Sequence, residues 1–369
     1  MRGRVLTVDR WNGVNLLYRH IARSILRGVV LVLAIIIAIG VAIQFIGQLD
    51  DVGLANYGLG DAAAYVALSI PRLVFDTLPA AALLGSLLAL GNMAVHRELV
   101  VMRASGVSHL QMLVAVAFAG LLLMAVMVVI GESLAPSLGA YGRELRTQAL
   151  LDDASVANGS SAWVKDGDRI INLRRPGAGT DFVGGVEIYE LDGDTLLTRM
   201  AAADETGVEA TNEWLLFDYA ETEFSGAGVS TRREPSVRLD YSLSPDLLQF
   251  SVVRSDLLNT PALIRYIDYL TSNGLDANRY VGAYWRRIAS IVSVLFMAML
   301  ALPFVFGSLR SAGTGARMIV GIVIGLGYYV AVQLSANTGQ VFGLDPVVAA
   351  WAPTVVLMAV TSIAVWRVR

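Results

Sequence analysis

The residues of this chain that could do chemistry are few, and several of them lie in one short polar stretch, residues 92–111. The chain has no cysteine, which excludes thiolate nucleophiles, thiolate metal sites and disulfides. The three histidines, His20, His96 and His109, do not form the close spacing of a metal site, so each is interpreted as an interfacial polar residue. The P-loop, Gly-x-Ser-x-Gly and His-Glu-x-x-His patterns are absent. The sequence therefore predicts no cofactor and no nucleotide hydrolysis by this chain.

The stretch at 92–111, here called the polar break, has the pattern of a short amphipathic helix. Its apolar positions fall on one helical face: Val95, Leu99 and Met102. Charged residues surround that face: Arg97, Glu98 and Arg103. Gly106 stands where a helix commonly ends. A short helix that carries apolar and charged groups out of a membrane predicts a docking surface for a partner.

The composition indicates that most of the chain lies in lipid. Of 369 residues, 55% are hydrophobic and 16% are charged, whereas about a quarter of an ordinary soluble domain is charged. The net charge of −3 argues against a nucleic-acid partner. Glycines at 321, 325 and 327 either permit close helix packing or reflect the ordinary frequency of glycine in membrane helices. Six apolar runs are long enough to span a membrane as helices: 28–49, 62–91, 112–131, 288–306, 318–336 and 346–366.

The flanking segments divide the chain into three parts. Residues 1–131 hold a basic amphipathic stretch (1–27), suited to lie on an anionic membrane surface, and the first three spans. Residues 276–369 hold the last three spans. Residues 132–275 between them have alternating strand patterns, which predict a sandwich or jelly-roll domain.

Turn and cap residues mark the elements of the inserted domain. Asp166-Gly167 and Asp192-Gly193 each separate two alternating runs and predict hairpins. Further strands are predicted near 213–219 and 237–241. Thr260-Pro261 predicts a helix with Thr260 as its N-cap, ending near Gly274.

Arginine placement predicts the orientation. Basic residues lie in the N-terminal segment, the polar break, the 307–317 loop and the C-terminal tail, whereas the 50–61 and 337–345 loops have none. Because positive charge favours the cytoplasmic side, both termini and the polar break are predicted to be cytoplasmic, with the β domain outside. Energy from a soluble ATPase could then enter at the polar break.

Five segments resemble the LptF/LptG permeases, the membrane subunits of the lipopolysaccharide-export ABC transporter of Gram-negative bacteria. They are 81–91 (AALLGSLLALG), 97–106 (RELVVMRASG), 163–167 (WVKDG), 266–270 (YIDYL) with Gly274, and 304–311 (FVFGSLRS). The resemblance covers essentially the whole chain. Residues 163–167 and 98–102 are more similar to the LptG branch than to the LptF branch.

The resemblance implies an inner-membrane protein with six spans and a periplasmic β-jelly-roll between spans 3 and 4. It implies an LptF-like paralogue, an LptB-like ATPase dimer that binds ATP and Mg, and an LptC-like single-span protein as partners. The complex would extract lipopolysaccharide from the outer leaflet and pass it to a periplasmic bridge. Glu98 would be the coupling carboxylate that enters a groove of the ATPase, within a coupling set of Arg97, Glu98, Leu99, Met102, Arg103, Ser105 and Gly106.

The resemblance also suggests lipopolysaccharide contacts. The phosphates would meet cations near the outer leaflet: Arg72, Arg143, Arg146 and, as a weaker candidate, Arg286. The acyl chains would meet apolar faces of spans 1 and 5: Phe45, Leu49, Ile324 and Tyr328. Two alternatives remain. Arg143 and Arg146 could snorkel to lipid headgroups in the ordinary way, and the four apolar residues could pack inside the subunit. Span 1 lysines typical of the family are absent, because that region holds Gln44, Asp50 and Asp51.

Other functions would leave different patterns. A different ABC export permease with an extracytoplasmic domain is expected to have four spans. A structural membrane scaffold needs no coupling helix. An intramembrane enzyme is disfavoured, because no paired carboxylates, Ser/Lys pair or histidine metal set lies within the apolar runs. The LptF branch remains the alternative within the family.

Overall fold

A computed structural model describes residues 6–150, 161–174, 182–183, 185–192, 196–208, 213–225, 228–240, 258–306 and 313–367. The chain divides into two compact units. The helical unit comprises Met1–Val52, Leu59–Leu145 and Asn278–Arg369, and the β unit comprises Gly53–Gly58 and Arg146–Ala277.

Helices form the helical unit, and helix α6 belongs to the β unit. Their bounds are α1 (Leu6–Gln48), α2 (Leu59–Val95), α3 (Glu98–Ala104), α4 (His109–Val129), α5 (Ala135–Leu150), α6 (Thr260–Ser272), α7 (Asn278–Phe306), α8 (Thr314–Val341) and α9 (Pro346–Arg367). A 3₁₀ turn, Leu49–Asp51, follows α1, and a π-helical turn, Ile130–Leu134, joins α4 directly to α5.

Six helices in the described part of the chain are long and apolar enough to cross a membrane, which confirms the six predicted spans. The helices extend beyond the apolar runs. The membrane-surface role of residues 1–27 stays a prediction, and α1 runs without interruption from Leu6 through the first apolar run to Gln48. Ile21 and Ile25 are fully buried in the helical unit, so this part of α1 packs against protein.

Helices α2 and α7 form the centre of the helical unit and share an apolar core with α1, α4 and α9. Helix α1 meets α2 at Gly28, where an added Cβ atom would fall against the backbone carbonyl of Gly85. Helix α8 approaches α2 at Gly321 and Gly325, as close packing of small residues predicts. Gly327 has open space beside it and takes no part in this approach.

The described residues of the β unit form one antiparallel sheet, which confirms the predicted inserted β domain. Its strands are β1 (Ser161–Asp166), β2 (Arg169–Arg174), β3 (Phe182–Val183), β4 (Val186–Asp192), β5 (Leu196–Ala203), β6 (Glu205–Val208), β7 (Glu213–Ser225) and β8 (Gly228–Asp240). The order is β1-β2-β4-β5-β7-β6-β3, and β8 also pairs with β7. Ile171, Trp214 and Leu216 are fully buried at its core.

The predicted hairpins form with one small difference. Strands β1 and β2 pair from Asp166 opposite Arg169, so the two loop residues are Gly167 and Asp168, one position later than expected. Gly167 has φ +60°, which glycine adopts without strain. Strands β4 and β5 pair as predicted, but their connection, 193–195, lies outside the described residues. Strands β7 and β8 confirm the two remaining strand predictions, although Tyr241 is not among the described residues.

Helix α6 begins one residue earlier than predicted, because Asn259 rather than Thr260 is its N-cap. The Asn259 side-chain oxygen accepts a hydrogen bond from the Ala262 N–H at 3.0 Å, and Pro261 lies in the first turn. The helix ends at Ser272, and Gly274 follows with φ +66°. Asparagine caps helices at least as well as threonine, which explains the shift.

Candidate functional site

The polar break contains a seven-residue helix, α3, whose sequence pattern only partly predicted its packing. Leu99 is 2% exposed and Met102 packs against the same core. Val95, predicted on the same face, instead ends α2 and is 60% exposed. The reason lies in the backbone between the helices, where Arg97 has φ +59° and interrupts the helical phase.

The end of α3 is fixed by backbone hydrogen bonds. Gly106 has φ +91°, and its N–H bonds to the Arg103 carbonyl at 3.0 Å, while the Val107 N–H bonds to the Met102 carbonyl at 3.1 Å. These two bonds form a Schellman motif, which confirms that the helix ends at Gly106. The Ser105 hydroxyl donates to the Met102 carbonyl at 2.8 Å. Ser105 and Gly106 therefore shape the helix terminus.

A second signal fixes the start of α4 immediately afterwards. The Ser108 hydroxyl accepts a hydrogen bond from the Gln111 N–H, and the Gln111 side-chain oxygen accepts one from the Ser108 N–H. This reciprocal pair is a capping box. The C-cap of α3, Ser105, and the N-cap of α4, Ser108, are three residues apart. Local hydrogen bonds at both caps therefore define the position of α3 relative to α4.

The outward side of α3 carries mixed chemistry. Arg97 and Arg103 are exposed, and so are two valines that the sequence analysis did not name, Val100 and Val101. Leu99, in contrast, is enclosed within this chain. The presented surface therefore combines two positive charges with two apolar side chains.

Glu98 lies at the first position of α3, beside a histidine from α1. The His20 Nε2 atom is 3.0 Å from the Glu98 Oε2 atom, although 78 residues separate the two. His20 was predicted to be an interfacial polar residue, and no sequence pattern connects it with Glu98. Only the continuation of α1 as one helix, packed beside the polar break, brings the imidazole to this position.

Two contacts connect the ends of the polar break to helices from the second half of the chain. The Arg317 Nη1 atom, at the start of α8, donates a hydrogen bond to the Gly91 carbonyl oxygen at 3.1 Å, and both residues are buried. His109 meets Phe306, at the end of α7, in an edge-to-face contact with ring centroids 5.3 Å apart. Phe306 belongs to the segment 304–311, of which residues 307–311 lie outside the described residues. The helices on either side of α3 are thus each connected to a helix from the second half of the chain, α2 to α8 and α4 to α7.

The arginines considered for phosphate contact already have neighbours in this chain. The Arg72 Nε atom is 2.9 Å from Asp76 Oδ2, one helical turn away, and the pair is partly exposed. Arg143, Arg146 and Arg286 each take part in an interaction with a neighbouring group. Phosphate binding at Arg72 would have to compete with Asp76.

The four apolar candidates divide into two groups. Phe45 and Leu49 lie at the end of the first apolar run, Phe45 partly exposed and Leu49 exposed. Ile324 and Tyr328 pack against the core of the helical unit, and the Tyr328 hydroxyl is 3.1 Å from Thr354 Oγ1 of α9. Gln44, in the part of span 1 near these residues, accepts a hydrogen bond from the Ser69 hydroxyl.

An ion pair that sequence analysis missed lies at the π-helical turn. The Arg287 Nη1 atom of α7 is 3.5 Å from Glu132 Oε1, and the Arg287 side chain is 9% exposed. Gly131 beside it is buried under Phe75, where an added Cβ would collide with the ring. The sequence does contain a sign of this ion pair, because Glu132 follows the third apolar run and Arg286 and Arg287 precede the fourth. Across the described residues, no group of three or more His, Asp or Glu side chains is arranged to hold a metal ion.

Known proteins resemble the chain along nearly its whole length. The lipopolysaccharide export system permease protein LptG of Haemophilus influenzae is 32% identical over 346 residues, covering 94% of this chain and 96% of that protein. LptG of Escherichia coli K12 is 31% identical over 338 residues, covering 91% of this chain and 94% of that protein. The family model described as lipopolysaccharide export system permease LptF/LptG matches residues 19–367. The chain therefore belongs to the LptF/LptG family of lipopolysaccharide export system permeases.

Proposed function

We propose that this chain is the LptG-like permease subunit of an ATP-driven lipopolysaccharide exporter. Relatives over 30% identical and aligned over more than 90% of the chain carry the LptG name, which favours this branch over LptF. The exporter would extract lipopolysaccharide from the outer leaflet of the inner membrane and pass it to a periplasmic bridge. An LptF-like paralogue, an LptB-like ATPase dimer and an LptC-like single-span protein would complete it.

The observation that carries the proposal is the construction of α3. It is a short helix terminated on both sides by defined turns, with an outward surface of Glu98, Val100, Val101 and Arg103. Apolar side chains flanked by charge are the usual chemistry of a protein–protein contact. Since no P-loop is present in the sequence, ATP and Mg would be held by the ATPase, and α3 would transmit its movement to α2, α7 and α8.

The proposed orientation follows from the arginines. Arg97, Arg103 and Arg317 would lie on the cytoplasmic side together with both termini, and the β unit would lie on the periplasmic side. In this orientation the polar break is accessible to a soluble ATPase. Arg72, Arg143, Arg146 and Arg286 would then lie on the outer side, where lipid A phosphates are found.

Co-purification with the ATPase tests the coupling part of this proposal. Tagged complex containing Glu98→Ala is expected to retain less ATPase than the unmodified complex, because the carboxylate is removed from the contact while Leu99 still anchors α3. Asp50→Ala, an exposed carboxylate beyond the other end of α1, is the matched control. Equal ATPase recovery with Glu98→Ala and with the unmodified chain would contradict the assignment.

Photocrosslinking tests the substrate part separately. A photoreactive amino acid at position 72 or 45 is expected to form an ultraviolet-dependent adduct with lipopolysaccharide in membranes. Position 163, an exposed tryptophan of the β unit's first strand, provides a comparison outside the predicted spans. Absence of adducts at both 45 and 72, with normal complex assembly, would argue against the proposed lipid contacts.

A further inference from the structure

The contact between His20 and Glu98 joins the first transmembrane helix to the coupling helix. Their side chains are 54% and 42% exposed, and the contact uses Nε2 of the imidazole and Oε2 of the carboxylate. Among the described residues, the Glu98 Oε1 atom makes no hydrogen bond or ion pair. One oxygen of the carboxylate is thus held by this chain while the other is open to an incoming donor.

The helix backbone that carries His20 is fixed by packing of its neighbours. Ile21 and Ile25, the next residues on the inner side of α1, are fully buried. Leu99 and Met102, on the inner side of α3, pack against the same core. Because both helices are anchored beside each other, the core sets the backbone positions of His20 and Glu98, and the two side chains meet at 3.0 Å.

The exposure of the His20–Glu98 pair determines how much the contact can contribute to folding stability. An ion pair or hydrogen bond between two half-exposed side chains contributes little to folding stability. It does restrict the side-chain rotations of Glu98, which an incoming partner would otherwise have to restrict on binding. The contact is therefore suited to preparing a surface for docking and not to stabilising the fold.

We propose that His20 is a positioning residue for ATPase coupling: it holds Glu98 through Oε2 so that Oε1 faces a hydrogen-bond donor of the ATPase. This inference rests on the proposed function, because it assumes that Glu98 is the docking carboxylate. It assigns to the cytoplasmic end of α1 a direct part in transmitting ATPase motion. The partner chemistry it requires is a cationic or N–H donor in the ATPase groove.

The test compares variants of His20 with a control and with Glu98→Ala, all in the complete complex. His20→Phe keeps an aromatic ring but removes the donor, whereas His20→Gln places an amide nitrogen near the position of Nε2. His96→Phe is the control, because the His96 ring bonds to the Asn92 backbone of its own turn and, within the described residues, has no bond to Glu98. The measured quantities are the affinity of the complex for added ATPase and the thermal unfolding midpoint of the chain.

His20→Phe is expected to weaken ATPase affinity by about two- to five-fold, the range of an exposed polar pair, with an unchanged unfolding midpoint. His20→Gln is expected to restore the affinity, and His96→Phe to leave it unchanged. The double variant His20→Phe with Glu98→Ala is expected to bind no more weakly than Glu98→Ala alone, since His20 acts only through Glu98.

The outcomes separate this inference from the proposed function. If Glu98→Ala leaves ATPase affinity unchanged, the proposed function fails at its coupling site. If Glu98→Ala weakens affinity but His20→Phe does not, only the role of His20 is overturned. A loss that His20→Gln does not restore, or a loss additive with that of Glu98→Ala, also overturns it, because either result indicates a general structural effect.

Discussion

The guanidinium of Arg317 donates a hydrogen bond to the carbonyl oxygen of Gly91, 226 residues earlier in the chain, over 3.1 Å. Arg317 is 4% exposed, and Gly91 is the last buried residue before the polar break begins. The contact attaches the start of α8 to the end of α2. It also explains why glycine is suitable at position 91, because an added Cβ would lie 2.9 Å from Arg317 Nη1.

Arg317→Met is expected to lower the free energy of unfolding by about 1–3 kcal/mol, because a buried charge-assisted hydrogen bond is lost. Thermal unfolding of the purified chain in detergent measures this. Arg27→Met, an exposed arginine of α1, is the control and should change little. Gly91→Ala should destabilise the unmodified chain, because the new Cβ would meet Arg317. The same substitution should have little effect in the Arg317→Met variant, because the flexible methionine side chain can move aside. If the losses in the free energy of unfolding caused by Arg317→Met and Gly91→Ala add fully in the double variant, the contact is contradicted.

The crossing of α1 and α2 provides a second prediction. Gly28→Ala is expected to destabilise the chain by roughly 1–3 kcal/mol, because its new Cβ would meet the rigid backbone of Gly85. Gly47→Ala, in the same helix with open space around it, should be neutral or stabilising by up to about 1 kcal/mol. Equal unfolding midpoints for the two variants would show that α1 and α2 are not in close contact at Gly28.

A third prediction concerns the β unit. The Tyr269 hydroxyl of α6 accepts a hydrogen bond from the Lys165 N–H at 3.1 Å and donates one to the Lys165 carbonyl, and so covers the edge of β1. Tyr269→Phe is expected to accelerate hydrogen exchange of the Lys165 amide by about five- to ten-fold, equivalent to ~1 kcal/mol. Tyr189→Phe, which removes a hydroxyl that donates to the Glu187 side chain at 3.0 Å, is the control. Unchanged exchange at Lys165 in the full-length protein would refute the role of Tyr269.

Hydrophobicity and turn chemistry predicted most of the fold. The six spans are visible in the sequence because a membrane helix needs about 20 apolar residues in succession. The first hairpin is visible because Gly167 permits a tight turn. The helix cap was misplaced by one residue, because Asn259 and Thr260 are both competent N-caps and local sequence does not decide between them.

The sites formed by distant residues were not predictable in the same way. The polar break was identified from its pattern, but its helical phase depends on the positive φ of Arg97, which no periodicity indicates. The His20–Glu98 and Arg317–Gly91 contacts depend on which helices are neighbours, and that is decided by packing around α2. Gly85, Gly321 and Gly325 each lie where two helices approach closely. The sequence shows that these positions are small, but it does not show which helix packs against each of them.

ATP-driven transfer of lipopolysaccharide out of reconstituted membranes tests the central claim most directly. With the complete complex in proteoliposomes, Glu98→Ala is expected to reduce the transfer rate by about ten-fold or more, the effect of losing ~1.4 kcal/mol or more at an interface hot spot. Asp50→Ala should transfer at the unmodified rate, and ATP should be required throughout. A Glu98→Ala complex that transfers lipopolysaccharide as fast as the unmodified one would contradict the account.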